Sequence, residues 1–181
     1  MITAAAIRDT LLGYLRRHPT EQVELAPVLD LLGAGADLTS RSEARGHLTA
    51  GAILLDGRGR VLHVHHRALS RWLLPGGHLE PGDTDLQHAA LRELSEETGI
   101  DPARVSAVGQ EPVHIDVHPI PANPAKGEPD HQHIDLRYLF RTDGDVQQLQ
   151  AEEVIDAAWR EVGAMTDPVL RERITLAVAD A

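Results

Sequence analysis

Cysteine is absent from this chain, and aromatic residues are scarce. None of the 181 residues is cysteine, and Phe, Trp and Tyr together make up 3% of them. Without cysteine the protein cannot form disulfides, bind zinc through sulfur or use a thiolate in catalysis. With so few aromatic rings, a core must be built mainly from leucine, valine, isoleucine and alanine. The chain is nevertheless long enough for one domain with a hydrophobic core of its own.

Positive charge is scarce as well. The chain has 17 basic and 28 acidic residues, a formal net charge of −11, and Lys126 is its only lysine. A surface that binds a nucleic-acid polymer is normally basic, so we expect no such partner. An anionic small molecule would need local positive charge, which a metal ion or a group of arginines can supply.

Long apolar runs are missing too. No segment approaches the roughly 20 apolar residues that a membrane-spanning helix needs. Arg8 and Asp9 interrupt the apolar start, so the first residues do not resemble a signal peptide. We therefore expect a soluble, cytoplasmic protein with no membrane partner.

The most informative segment is the run from Gly76 to Ile100, GGHLEPGDTDLQHAALRELSEETGI. A glycine-rich turn leads into an acidic loop and then into a helical pattern that carries Glu93, Glu96 and Glu97. Carboxylates at i, i+3 and i+4 share one helix face, where like charges are destabilising unless a cation neutralises them. Mg²⁺ takes oxygen ligands and typically combines a few carboxylates with substrate phosphates. The pattern therefore indicates a metal-dependent enzyme that acts on phosphates.

The segment from Gly77 to Ile100 resembles the Nudix box, G-x5-E-x7-R-E-U-x-E-E-x-G-U, in which U is aliphatic. The residues from Arg92 to Ile100 match the second half of the box position for position. In the first half, Asp83 stands where the box has glutamate. Eight residues instead of seven separate Asp83 from Arg92, so this is a variant box with one residue inserted before the helix.

The resemblance implies a fold and an activity. The fold is α/β (α+β), a Nudix-type α/β/α sandwich with a mixed sheet. The activity is hydrolysis of a diphosphate linkage in a nucleoside diphosphate derivative, by attack of water on phosphorus, with Mg²⁺ (or Mn²⁺) as cofactor. A nucleoside triphosphate, an ADP-ribose-like compound and a dinucleotide all stay open as substrates. A homodimer is compatible with the resemblance.

The resemblance also implies roles for particular residues. Glu93, Glu96 and Glu97 match the metal-binding glutamates, and Arg92 matches the arginine that holds one glutamate by a charge-assisted pair. The backbone carbonyl of Gly77, or of its neighbour, completes the metal shell. The general base stays open between the helix glutamates, which we favour, and acids elsewhere in the chain. Those acids are Glu128, Asp130, Glu152 and Glu153.

The first 46 residues differ from the rest of the chain. Apolar residues between Ile7 and Leu15 recur at helical spacing, and a second helix is predicted from Leu25 to Leu32. From His47 the pattern favours strands. We predict a helical N-terminal extension (1–46) packed on a Nudix-like catalytic domain (47–181). The alternative for the extension is a dimerisation or substrate-covering element.

The second part of the chain predicts strands, a long loop and a final helix. Apolar runs predict strands at 48–55, 61–66, 105–108, 113–117, 134–141 and 154–162. Prolines between His118 and Gln132 predict a loop without regular structure. A C-terminal helix is predicted over 167–179, with Asp167 as its N-cap and Pro168 at its first position.

Two sets of alternating polar residues flank the predicted loop. They are His114, Asp116 and His118 before it, and His131, His133 and Asp135 after it. A period of two places each set on one face of a strand, and the sets would meet if the two strands pair. We predict that His114, His118, His131, His133 and Asp135 bind substrate. A transition-metal site and two solvent-facing strand surfaces are the alternatives.

Trp72, just before the Pro-Gly-Gly turn, is a further candidate for substrate binding, through stacking on a base. Two other functions compete with hydrolysis. A non-catalytic Nudix-like module that senses a nucleotide would not need the carboxylates. An enzyme of another class, with a metal held by His131, His133 and a third histidine, would leave the box unexplained. We therefore predict a Nudix-type nucleotide pyrophosphohydrolase.

Overall fold

The computed structural model describes residues 1–124 and 127–179 of the chain. Residues 125–126 of the predicted loop and 180–181 of the predicted catalytic domain lie outside the described residues. The helices and strands, in chain order, are α1 (Ala4–Arg17), α2 (Gln22–Gly33), β1 (Gly46–Leu55), β2 (Arg60–His66), β3 (Arg71–Leu73), β4 (Gly76–His78), α3 (Leu86–Thr98), β5 (Val105–Ala107), β6 (His114–Ile120), β7 (His131–Thr142), β8 (Val154–Glu161) and α4 (Pro168–Ala179). Within the described part, no helix is long and apolar enough to cross a membrane.

The strands form one mixed sheet around β1. Over its whole length β1 pairs in parallel with β7. It also pairs antiparallel with β2 and with β4, while β6 and β5 pair antiparallel with β7. Helices pack on both faces of this sheet, so the predicted α+β fold with a mixed sheet is confirmed.

Apolar side chains of β1 point alternately to the two faces of the sheet, and this explains why each face has a hydrophobic core. Leu48, Ala50, Ala52 and Leu54 belong to a large core that includes residues of α1, α2 and α3. Ile53, on the opposite face, belongs to a smaller core that includes residues of α4. The two cores hold β1 and β7 rigidly between helical layers, which fixes the positions of the polar side chains on these strands.

The two N-terminal helices pack on the rest of the protein. The Tyr14 hydroxyl donates to Glu21 at 2.5 Å and accepts from the backbone N–H of Ile115 on β6 at 3.3 Å. Glu21 also pairs with Arg173 of α4. These contacts bind α1 to both β6 and α4. The division into an extension (1–46) and a catalytic domain (47–181) stays a prediction.

The predicted strands lie within three residues of their observed bounds, but the predicted loop is wrong at both ends. β6 continues through His118 and Pro119 to Ile120, and β7 already begins at His131. Among the described residues β6 pairs with β7 alone. Pro119 therefore lies on an edge strand, where the missing N–H of proline is tolerated.

Gly99 ends α3, and its replacement is expected to destabilise the protein. Its φ is +65°, and a Cβ at this position would lie 2.7 Å from the backbone nitrogen of Gln148. Gly99→Ala should therefore lower the free energy of unfolding by about 2 kcal/mol, more than the roughly 1 kcal/mol of left-handed strain alone. Urea unfolding measures this change. Gly57→Ala is the control, because a Cβ there meets no atom within 4 Å; equal losses in the two variants would contradict the expectation.

Candidate active site

The carboxylates of the box lie on α3, whose ends are set by local capping. The side chain of Asp85 accepts a hydrogen bond from the backbone N–H of His88 at 2.8 Å, and Gly99 takes the left-handed conformation at the other end. Leu94 faces the core, and Leu91 is half-buried against it. Glu97 shares the buried side of the helix and is only 3% exposed.

The glycines of β4 lie directly against two of these carboxylates. A Cβ on Gly77 would approach the carboxylate carbon and both oxygens of Glu93 to 2.7 Å. The backbone N–H of Gly76 donates to Glu97 at 3.3 Å. A Cβ on Gly76 would also lie 2.7 Å from the carbonyl oxygen of Ala50 on β1. The Gly-Gly pair is thus a short strand rather than only a turn, and glycine is required for its close approaches.

Arg92 connects the carboxylates to the loop before the helix. Its Nε and Nη2 atoms each donate to an oxygen of Asp83 at 3.1 Å. Its Nη1 atom donates to Glu93 at 3.0 Å and to Glu96 at 2.9 Å. Nη2 also donates to the carbonyl oxygen of His78 at 3.0 Å. A single guanidinium therefore fixes three acidic side chains and the end of β4.

Asp83, which the sequence left without a role, is the bidentate partner of this arginine. It is 7% exposed and also accepts the backbone N–H of Glu80 at 2.7 Å. The loop before α3 is thus held by Asp83, although it has one inserted residue and aspartate in place of the longer glutamate. The role of Asp83 is to position Arg92 and the loop.

The electrostatics of the carboxylates suit a cation. Burial raises the pKa of Glu93 to about 7, against the lowering effect of Arg92. Burial and the neighbouring Glu93 raise the pKa of Glu97 to about 8. Buried carboxylates that repel one another are an unfavourable arrangement without a positive ion. Oxygen donors of this kind fit a hard divalent cation, and Glu93, Glu96 and Glu97 are the residues that would hold it.

Binding of Mg²⁺ to these carboxylates is expected to release protons. Below pH 8 the raised pKa keeps Glu97 partly protonated, whereas a ligand must be deprotonated, so affinity should rise by up to about tenfold per pH unit for each proton displaced. Calorimetric titration in buffers of different ionisation enthalpy measures this release. A binding enthalpy that is the same in every buffer would contradict the expected proton release.

The raised pKa of Glu97 also predicts how stability depends on pH without metal. The free energy of unfolding should fall as the pH rises above 4.5, the ordinary pKa of a glutamate, because the folded state retains a proton that the unfolded state loses.

Glu153 and Glu128, two of the candidate general bases outside the box, lie in different surroundings. Glu153 lies close enough to raise the pKa of both Glu93 and Glu97. Glu128 instead pairs with Arg41 at 3.0 Å and acts on the pKa of His47 and His78. Glu153 therefore adds its negative charge to the electrostatic field around Glu93 and Glu97.

The two alternating polar sets do meet, as the sequence analysis anticipated if their strands paired. The antiparallel register of β6 and β7 sets Asp116 opposite Asp135 and His118 opposite His133. Paired residues share a face of the sheet. Arg137, which follows Asp135 on this face, donates to Asp116 and Asp135 at 3.0 Å each.

Arg137 also explains the state of the remaining polar groups on this face. His114 is buried, and its Nδ1 atom lies 3.1 Å from Arg137; burial lowers its pKa. His118 lies 3.6 Å from Asp116, which raises the pKa of the histidine. Thr49 of β1 donates to Asp135. These charges compensate one another, so the face combines one arginine with two carboxylates and a histidine of raised pKa.

Two histidines that the sequence analysis missed complete a group of four, which we name the histidine cluster: His47, His78, His131 and His133. Strand pairing sets His47 beside His133 and His78 beside Thr49 on the same face. The ring centroid of His47 lies 5.1 Å from that of His78, 4.8 Å from that of His131 and 4.9 Å from that of His133. Burial lowers the pKa of His78 to about 4 and that of His133 to about 3, so both are neutral at pH 7.

Trp72 lies on β3, which pairs with β2. Its ring contacts His65, with centroids 5.1 Å apart, and the guanidinium of Arg160 lies 4.2 Å above it. One side of the indole is thus occupied by a cation–π contact. Stacking of Trp72 on a substrate base stays a prediction.

Known proteins are similar to this chain in sequence and in fold. A family model for the NUDIX domain matches residues 45–177. A Lactococcus lactis protein named "Probable DHNTP pyrophosphohydrolase" is 30% identical over 132 residues, which are 72% of this chain and 74% of that protein. An RNA pyrophosphohydrolase of Dinoroseobacter shibae is 41% identical over 64 residues, but these are only 34% of this chain and 39% of that protein.

A solved structure supports the same assignment at the level of the fold. The dihydroneopterin triphosphate pyrophosphohydrolase of E. coli superposes with a TM-score of 0.54 over 74% of this chain and 96% of that chain, at 19% identity. The matched residues 45–177 contain the whole box and every strand of the sheet. The chain therefore belongs to the Nudix family, and it is a Nudix hydrolase that acts on acid anhydrides.

Proposed function

We propose that the protein is a Mg²⁺-dependent hydrolase of a diphosphate linkage in a small nucleotide or nucleotide-like triphosphate. The observation that carries the proposal is the buried, proton-binding Glu97 beside Glu93, both held against the Gly-Gly strand. A divalent cation bound between these carboxylates would offset their mutual repulsion. Such an ion, when bound, polarises phosphate oxygens and lowers the pKa of a bound water.

The residues of the chain supply position and proton transfer. Arg92 holds Glu93 and Glu96 through its Nη1 atom, so the helix presents a fixed set of oxygens. Glu97 is buried and fixed by the backbone N–H of Gly76, and once metal binding has removed its proton it is suited to accept one from the attacking water. We assign Glu97 two roles, as the general base and as a metal ligand, and we assign Glu93, Glu96 and the Gly77 carbonyl as the other metal ligands.

With its diphosphate at the α3 carboxylates, the substrate would reach past β4 to the polar sheet face on the other side of that strand. Arg137 and His118 offer donors there, and His78 and His133 offer flat rings that are neutral at pH 7. A substrate with an anionic chain and a planar heterocycle fits this combination. The match to the Lactococcus lactis protein, whose name specifies DHNTP, supports dihydroneopterin triphosphate as the first compound to test.

A substrate panel with product identification tests the proposal. It should contain dihydroneopterin triphosphate, the nucleoside triphosphates, ADP-ribose, a dinucleoside tetraphosphate and a 5′-triphosphorylated RNA, each with Mg²⁺, with Mn²⁺ and with a chelator. We expect metal-dependent release of phosphate or pyrophosphate from a small substrate. Turnover of the RNA alone would contradict the predicted absence of a nucleic-acid partner, and tight nucleotide binding without any turnover would favour a sensing module.

A further inference from the structure

The histidine cluster contains a buried imidazole that has no hydrogen bond. His47 is 2% exposed, and neither of its ring nitrogens has a hydrogen-bond partner among the described residues. A buried polar group without a partner costs about 1–3 kcal/mol. Buried polar groups normally have a hydrogen-bond partner, and even the half-buried His131 bonds to the backbone carbonyl of Pro129 at 2.8 Å. The ring of His47 instead faces three other imidazoles.

The ring nitrogens of this group are close to the spacing that a metal ion requires. One nitrogen each of His47, His78 and His133 lies within 4.8 Å of the others. A tetrahedral zinc ion with bonds of about 2.0–2.1 Å would separate its nitrogen ligands by about 3.4 Å. Small rotations of the side chains would close this difference, because the three residues already share one face of β1, β4 and β7.

We propose that His47, His78 and His133 bind a divalent transition-metal ion of the zinc class, at a site separate from the carboxylates of α3. Imidazole nitrogen suits zinc and related ions, whereas Mg²⁺ prefers oxygen. Three histidines leave the fourth tetrahedral position to a water or a substrate atom. The ion would supply the missing partner of His47 and tie together the ends of three strands.

The two sites lie on opposite sides of β4. The Cβ position of Gly77 faces Glu93, and successive residues of a strand point to opposite faces, so the ring of His78 points away from the carboxylates. A second nearby group, His118, His133 and Asp135, also has suitable spacing. Asp135 is already compensated by Arg137 and Thr49, which favours the three-histidine group.

Zinc titration of matched variants tests the site. Glu97→Gln serves as the background, because it weakens any binding of zinc to α3. In this protein we expect a single Zn²⁺ ion to bind, and Co²⁺ in its place to give the visible absorption of a tetrahedral complex. His78→Gln and His133→Gln should each weaken binding by at least the roughly 10–100-fold that loss of even an outer partner costs.

His88→Gln is the control, since His88 is exposed on α3 and pairs with Asp85 rather than with the cluster. It should bind Zn²⁺ as the background protein does. Circular dichroism verifies that each variant is folded. Equal binding by all variants, or no saturable Zn²⁺ binding by the folded background protein, would overturn the proposal. Hydrolysis with Mg²⁺ is measured separately, so neither result depends on the other.

Discussion

Replacement of Glu97 by glutamine is expected to lower turnover at least about 10³-fold, because a positioned base alone contributes roughly 10²–10⁴-fold and a metal ligand is lost with it. Glutamine has nearly the same shape, and its amide oxygen can still accept the N–H of Gly76, which lies 3.3 Å away in the native protein. The fold should therefore persist. Glutamine also removes an ionisable group that repels Glu93 when it is charged, so stability without metal should not fall.

Steady-state rates with the best substrate of the panel, together with urea unfolding, measure these two effects. Glu24→Gln is the matched control, because it removes an exposed carboxylate from α2 and should leave the rate unchanged. A Glu97→Gln protein that is folded and retains a near-normal rate would remove Glu97 from both proposed roles. A folded variant that binds Mg²⁺ normally but does not turn over would assign it as the base alone.

Replacement of Arg92 by methionine is expected to affect both stability and activity. The change leaves Asp83, Glu93 and Glu96 without their shared cation. Breaking a buried ion pair costs about 3–5 kcal/mol, and we expect about 2–3 kcal/mol here because 21% of the arginine side chain is exposed. Activity should fall at least about 10–100-fold, as is usual when a group that orients metal ligands is lost.

Mg²⁺ should restore part of this stability, since it replaces positive charge among the same carboxylates. Urea unfolding of Arg92→Met with and without Mg²⁺ measures the restoration. Arg104→Met is the control: Arg104 forms an exposed pair with Asp143, and such pairs contribute about 0–1 kcal/mol. A loss for Arg92→Met no larger than that of the control would contradict the central position of this arginine.

The box helix could be predicted from the sequence because its determinants are local. Arg92, Glu93, Glu96 and Glu97 are neighbours along one helix, and Gly99 marks its end. The pairing of β6 with β7 could also be predicted, since alternating polar residues on both sides of one loop suggest that they share a face of the sheet. In each case the signal lies within a few residues of the structure that it specifies.

The histidine cluster could not be predicted in full because it depends on strand register. His47 and His78 are isolated in the sequence, and only the pairing of β1 with β4 and β7 brings them beside His133. The loop was wrongly predicted to include Pro119 for a related reason. Proline disfavours a strand locally, but it is tolerated where the strand lies at the edge of a sheet. Asp83 is an intermediate case, because its position in the box was visible but its contact with Arg92 was not.

Hydrolysis in oxygen-18-labelled water tests most directly whether the α3 carboxylates direct water to a phosphorus atom with the help of a divalent cation. The substrate is the best one from the panel, and the products are analysed by mass spectrometry with Mg²⁺ and with a chelator. We predict one labelled oxygen in a phosphate-containing product, and no product in the presence of the chelator. Undiminished turnover with the chelator, label outside the phosphates, or no turnover of any substrate by the folded protein would contradict the proposed function.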